Sequence, residues 1–387
     1  MLMPIDVNSH AWAASDCELA QLCAAIPPGA PLALDCEFIR RITFHPIPAL
    51  LQLGWRGANG ELEFALLDPL SIDDWKPLKA SFERADAVVM HAAGEDVQVL
   101  RRLGIHNFPL FDTQLAAALV LGEDGLGYSA LVECELAQQV PQASSVQRSN
   151  WLARPLSRMQ LEYALLDVAW LPDLHSRLSA QLETLGRSDW HRQECAALFQ
   201  QSEFRPREEA WWSVRGADRV RQPVQRARLK ALAAWRESRA MSLDRPRGML
   251  LADDAMLVLC KDPAGLTPTL RRSRFGREIA ADELESLRRQ LLEADAADAP
   301  PLKQLTQGQT AELKRLRTLV AEQAQALRLP SRLLANKRKL GDWVAGAKVD
   351  FGGWQTPLME EVLSRHARKE QERRAGQTHA VCNQSMD

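Results

Sequence analysis

Seven cysteines are spread over 387 residues with no C-x-x-C pair and no regular spacing. That pattern argues against a zinc site or a disulfide framework and fits a reducing compartment. No apolar run approaches the ~20 residues that a membrane span requires, and the N-terminus has no basic segment leading into an apolar core. A soluble, cytoplasmic protein with no membrane contact is expected. Net charge is −2, so no global basic field advertises nucleic acid. Tyrosine is almost missing, with Tyr128 and Tyr163 the only two.

What is present is ordinary in sum and uneven along the chain. The apolar fraction is 46% and the charged fraction 25%, as in soluble globular proteins, and the length allows two or three domains of ~100–200 residues. Acidic residues are prominent before residue 200, whereas basic residues dominate from Arg205 to Arg247. A second basic cluster comprises Arg328, Arg332, Lys337, Arg338 and Lys339. Such asymmetry hints at a nucleic-acid partner; solvated helix faces would explain either cluster alone.

Residues 32–38, 49–55 and 62–68 are short apolar runs separated by Pro- and Gly-containing breaks, the pattern of consecutive paired strands. A helix is expected at 75–84, a buried strand at 87–92, and a helix from Gly94 to about Leu103. Asp112 can cap a helix over 115–121. From Tyr128 onward the pattern is helical. Early strands and late helices predict an α/β layer architecture, a mixed sheet covered by helices.

The stretch Leu32-Ala-Leu-Asp35-Cys-Glu37-Phe38 is apolar and then abruptly acidic. Alternation puts Asp35 and Glu37 on one face of the strand and Cys36 on the other. Two adjacent buried carboxylates repel and are costly to desolvate, and a divalent cation would relieve both penalties; a strand running into a polar turn would also carry acids. Asp96 follows in His91-Ala-Ala-Gly-Glu95-Asp96, past the end of a strand, where ligands collect in α/β sheets. An acid in a helix's first turn also offsets the macrodipole, a role Glu95 could fill. His91 reads as a satisfied buried histidine. Tyr163 and Asp167, four apart on a helix, share one face. Four acids from three elements suit two Mg²⁺ or Mn²⁺ ions, with Tyr163 orienting the attacking water.

These residues resemble the three exonuclease motifs of the DEDD superfamily, and the tyrosine marks its DEDDy branch. Residues 33–38, 49–53, 67–69, 91–96, 112–114 and 151–156 are similar to the ribonuclease D family. The resemblance implies an RNase H-like fold, hydrolytic 3′→5′ removal of nucleotides from RNA, and trimming of tRNA precursors with 3′ extensions. It implies Asp35, Glu37, Asp96 and Asp167 as metal ligands and Tyr163 as the water-positioning residue. Phe38, Gln52 and His91 are further substrate-binding candidates. Asn150 stands where that family usually has an acid, so altered substrate contacts are expected. The alternatives are a 3′→5′ DNA exonuclease and a non-catalytic RNA-binding protein.

The nuclease domain is expected over residues 1–204. An all-helical unit over 216–297 resembles the HRDC nucleic-acid-binding domain, with Arg226, Arg228 and Lys230 facing phosphates. A divergent second copy is expected over 302–368 and a disordered tail over 369–387. No obligate protein partner is evident.

Overall fold

The computed structural model describes residues 9–141, 144–201, 207–300 and 305–384. Among them one mixed sheet comprises β1 (Ala11–Ala13), β2 (Leu32–Ile39), β3 (Ile47–Arg56), β4 (Leu62–Leu67), β5 (Val88–Met90) and β6 (Leu110–Asp112). The spatial order is β1-β4-β3-β2-β5-β6. The three expected apolar runs form its antiparallel centre, and β1, β5 and β6 add parallel strands at the flanks. β1 and the helix after it are elements the sequence did not announce.

Helices cover both faces. α1 (Asp16–Ala25), α2 (Lys76–Arg84) and α3 (Asp96–Arg102) bury Leu19, Leu78, Phe82 and Leu100 against one face, where Leu32, Leu34 and Cys36 point. The other face carries Ala33 and meets α4 (Thr113–Val120), α5 (Tyr128–Leu136), α7 (Arg158–Ala169) and α8 (Leu171–Thr184). The short α6 (Ser144–Gln147) precedes α7, and α9 (Ser188–Gln201) closes this region. Ser157 and Gln160 start α7 with a reciprocal capping box. The Leu67-Asp-Pro69 and 151–156 motifs explain each other, because Arg154 donates to both Asp68 carboxylate oxygens at 2.8 and 2.6 Å.

The helical half comprises two units that share one turn geometry. The first unit contains α10 (Pro223–Ser242), α11 (Arg247–Leu250), α12 (Asp253–Leu259), α13 (Leu266–Arg272) and α14 (Ala281–Glu293). The second contains α15 (Gln307–Ala326), α16 (Ser331–Leu334), α17 (Lys337–Val344) and α18 (Gln355–Gln384). α10 and α15 both end on a left-handed residue, Asp244 at φ 49° and Arg328 at φ 51°. The next amide in each then bonds back to Ala240 or Ala324, a Schellman turn. Proline follows at 246 and 330 and opens a four-residue helix.

Two expected boundaries shift. The first helical unit, expected from residue 216, also takes Ala210, Trp211 and Val214 into its core. Residues 369–384, expected to be disordered, continue α18, and Glu370 pairs with Arg315 at 2.6 Å; residues 385–387 lie outside the described residues. The second unit shares its core with the sheet, since Leu316, Val320, Met359 and Val362 join the cluster containing Leu165 and Leu174. Trp354 stacks on Trp190 with centroids 4.5 Å apart. Gly122 makes the approach possible, because a Cβ there would lie 2.8 Å from the Arg328 carbonyl oxygen. The described residues include no helix long and apolar enough to cross a membrane.

Candidate active site

Asp35, Glu37 and Asp167 each offer a carboxylate oxygen, and these oxygens lie within 4.8 Å of one another. Alternation along β2 turns Asp35 and Glu37 toward α7, while Cys36 is buried in the opposite layer as expected. A register shift against β3 falls between Glu37 and Phe38; such a bulge re-aims the chain next to a site. On α7, Ala164, Leu165 and Val168 face the sheet. Tyr163 and Asp167 are thereby presented one turn apart.

Asp96 comes from the other side. After β5 the chain turns through Ala92, at φ 56°. The Asp112 carboxylate accepts from the amides of Ala92 at 3.3 Å and Ala93 at 2.8 Å. It also caps α4. Asp96 then opens α3, 8% exposed and close enough to Asp35 to feel its charge. It stands beside the tight trio rather than within it. Glu95, its exposed neighbour, faces Arg40 at 3.8 Å.

Electrostatics in this cluster are unfavourable without a cation. Burial first, and then the charges of Asp35, Asp167 and Asp96, push Glu37 up to about 10. Burial pushes Asp35 to about 7. Asp96 and Asp167 are held well above the carboxylate range by burial and by Asp35. Among the described residues no lysine or arginine lines this 340 Å³ cavity. The donor set is hard oxygen and lacks a cation, which is what a divalent ion supplies. Tyr163 hydrogen-bonds Asp167, and burial and the neighbouring acids raise its pKa, so it keeps its proton.

Several side chains hold this geometry. Gln52, opposite Asp35 on β3, donates from Nε2 to Asp35 Oδ2 at 3.0 Å. Trp151 lies behind Tyr163, ring centroids 6.0 Å apart. Tyr128 also lines the cavity, so both tyrosines of the chain meet there. Its hydroxyl donates to the Leu166 carbonyl at 3.0 Å and accepts from the Trp170 amide at 3.1 Å. Tyr128 and Gln147 were missed as site residues, and only the scarcity of tyrosine pointed to the first.

The substrate-binding candidates divide. Phe38 lines the cavity. Gln52 is fully buried and acts on Asp35, not on a ligand. His91 also lines the cavity but is tied through Nδ1 to Thr113 at 2.9 Å, and it packs edge-on against Tyr128. Arg226 and Arg228, expected to face phosphates, are engaged with backbone carbonyls. Arg226 donates to the Pro300 and Arg221 carbonyls at 3.0 and 2.5 Å, and Arg228 to the Leu291 carbonyl at 2.9 Å. A guanidinium on the packed side of a helix finds backbone carbonyls that neighbouring segments leave free. Lys230 is half-buried and makes no ion pair among the described residues. The second basic cluster is largely engaged: Arg332 pairs with Asp124, Lys339 donates to the Phe351 carbonyl at 2.9 Å, and Arg338 lies over Trp212.

An acidic cluster on a mixed sheet, completed from a late helix that also carries a tyrosine, defines a 3′–5′ exonuclease of the DEDD type; the family model described as "3'-5' exonuclease" matches residues 11–183. Ribonuclease D of Xanthomonas oryzae is 34% identical over 365 residues, covering 90% of this chain and 96% of its own. Ribonuclease D of Escherichia coli is 30% identical over 371 residues, with 90% and 96% covered. The crystal structure of Escherichia coli RNase D superposes with a TM-score of 0.78 at 27% identity, covering 93% of this chain and 99% of that one. The chain belongs to the ribonuclease D family and is a 3′–5′ exoribonuclease. Its helical half matches the HRDC-like part of that structure, and the family implies use of a divalent metal at the acidic cluster.

Proposed function

We propose that the enzyme removes nucleoside 5′-monophosphates singly from the 3′ end of RNA, using two divalent ions, Mg²⁺ or Mn²⁺, and that its substrates are tRNA precursors with 3′ extensions. The observation that carries this is the convergence of Asp35, Glu37 and Asp167, with Asp96 beside them. Those four carboxylates would hold the ions. Bound ions would acidify a water and offset charge on the leaving 3′ oxygen. Asp35 is steadied by Gln52. Tyr163, protonated and bonded to Asp167, offers its oxygen lone pairs to the attacking water and orients it without acting as base. Phe38 gives the terminal nucleotide an apolar surface. The described cysteines are all free, in keeping with a cytoplasmic site of action.

The test is digestion of a 5′-labelled RNA, a matched DNA and a 3′-extended tRNA, with Mg²⁺, Mn²⁺ or chelator. One-nucleotide shortening of RNA from the 3′ end that stops with chelator is expected. Equal rates on DNA would overturn the RNA assignment. Equal rates on the tRNA and an unstructured RNA would overturn the tRNA one.

A further inference from the structure

Phe38 and Gln147 line two cavities at once, the acidic one and a smaller one of 170 Å³. The smaller cavity is bounded by Arg40, Arg41, Ser149 and Asn150, and among the described residues no carboxylate lines it. We propose that Arg41, with Arg40 beside it, binds the phosphodiester one nucleotide upstream of the scissile bond. This rests on the exoribonuclease reading above.

A strand whose terminal linkage lies at the acids must leave through an adjoining opening, and its next phosphate needs a cation. The acidic cavity has none; its neighbour has two. Arg41 is exposed and, among the described residues, donates only to the Arg148 carbonyl at 3.3 Å and has no ion pair. Its remaining N–H groups are available for phosphate, which a guanidinium can bind through two parallel bonds. Arg40 is fixed: Nε donates to the Phe44 carbonyl at 2.9 Å and Nη1 to Gln98 Oε1 at 3.1 Å. With Glu95 3.8 Å away, it acts as a brace rather than as a free charge. The loop carrying both is clamped at Phe44, which is buried in the core of the first helical unit beneath the Arg247 guanidinium, 4.5 Å from its ring. A pre-set loop spares the ordering cost of binding. Arg40 also lines the 1160 Å³ cleft between this loop and the first unit, where Arg215 and Arg219 are exposed.

The test compares a dinucleotide, which has only the scissile linkage, with a trinucleotide that adds one upstream phosphodiester. Arg41→Gln should lower kcat/KM about tenfold more on the trinucleotide than on the dinucleotide, through KM. A methylphosphonate at the upstream linkage should cost the wild-type enzyme a similar factor and cost Arg41→Gln nothing further. Arg41→Lys should recover part of the loss. An equal fall on both substrates, or independent effects of the variant and the methylphosphonate, overturns the proposal. Failure of the wild-type enzyme to release mononucleotides sinks the exoribonuclease reading and this subsite together. Digestion with an unmoved ratio sinks the subsite alone.

Discussion

The Asp244 carboxylate accepts hydrogen bonds from the backbone amides of Phe44, at 3.0 Å, and His45, at 2.9 Å. Through this contact the first helical unit grips the loop that follows the acidic strand. The unit therefore shapes the mouth of the nuclease site as well as standing beside it.

Asp244→Ala should loosen that loop. Two bonds to a charged acceptor are lost, and alanine is strained at the φ of 49° that Asp244 adopts; together this costs about 1–3 kcal/mol. Denaturant titration reads the stability, and KM for RNA should rise. Asp244→Asn, which tolerates the conformation and keeps an acceptor, should fall between. Wild-type KM in the alanine variant would show that the loop holds its place without the clamp.

The acids make metal-free stability depend on pH in a direction that can be worked out. Unfolded carboxylates titrate near ~4, whereas Asp35 stays protonated to about 7 and Glu37 to about 10. Between those values the folded chain holds protons that the unfolded chain has released, so stability falls as pH rises from ~4 upward. The melting temperature without metal should drop between pH 5 and 8. Asp35→Asn, inactive as a nuclease, should flatten that drop and melt higher than wild type at pH 8. Mn²⁺ should stabilise the wild-type enzyme more at pH 8 than at pH 5, because the ligands must lose their protons to bind it. An unchanged slope in the variant would show that Asp35 carries no such burden.

Trp354 anchors the second helical unit. It stacks on Trp190, donates from Nε1 to Glu194 at 2.8 Å, and is 5% exposed. Trp354→Ala should cost about 3–5 kcal/mol in a single unfolding transition, since this unit shares the sheet's core. Two separate transitions, with the nuclease part unaffected, would mean the units fold independently.

Much of this protein could be read residue by residue. Period-two alternation places Asp35 and Glu37 together, helical periodicity places Tyr163 and Asp167 together, and apolar runs mark the central strands; these patterns are local and follow from backbone geometry. The short edge strand β1 escaped notice because three residues carry too little periodicity to detect. Asp35, Asp96 and Asp167 could be named from the chain, but the meeting of Asp35 with Asp167, and the place of Asp96 beside them, depend on three elements packed around one sheet. The arginines show the limit most clearly. Arg226 and Arg228 look like a phosphate-binding face by count, yet they are spent on backbone carbonyls. Arg41 has no pattern around it, yet stands exposed at the edge of the acidic site. Charge belongs to the residue; which charge meets solvent or substrate is set by what packs against it, and only the folded chain decides that.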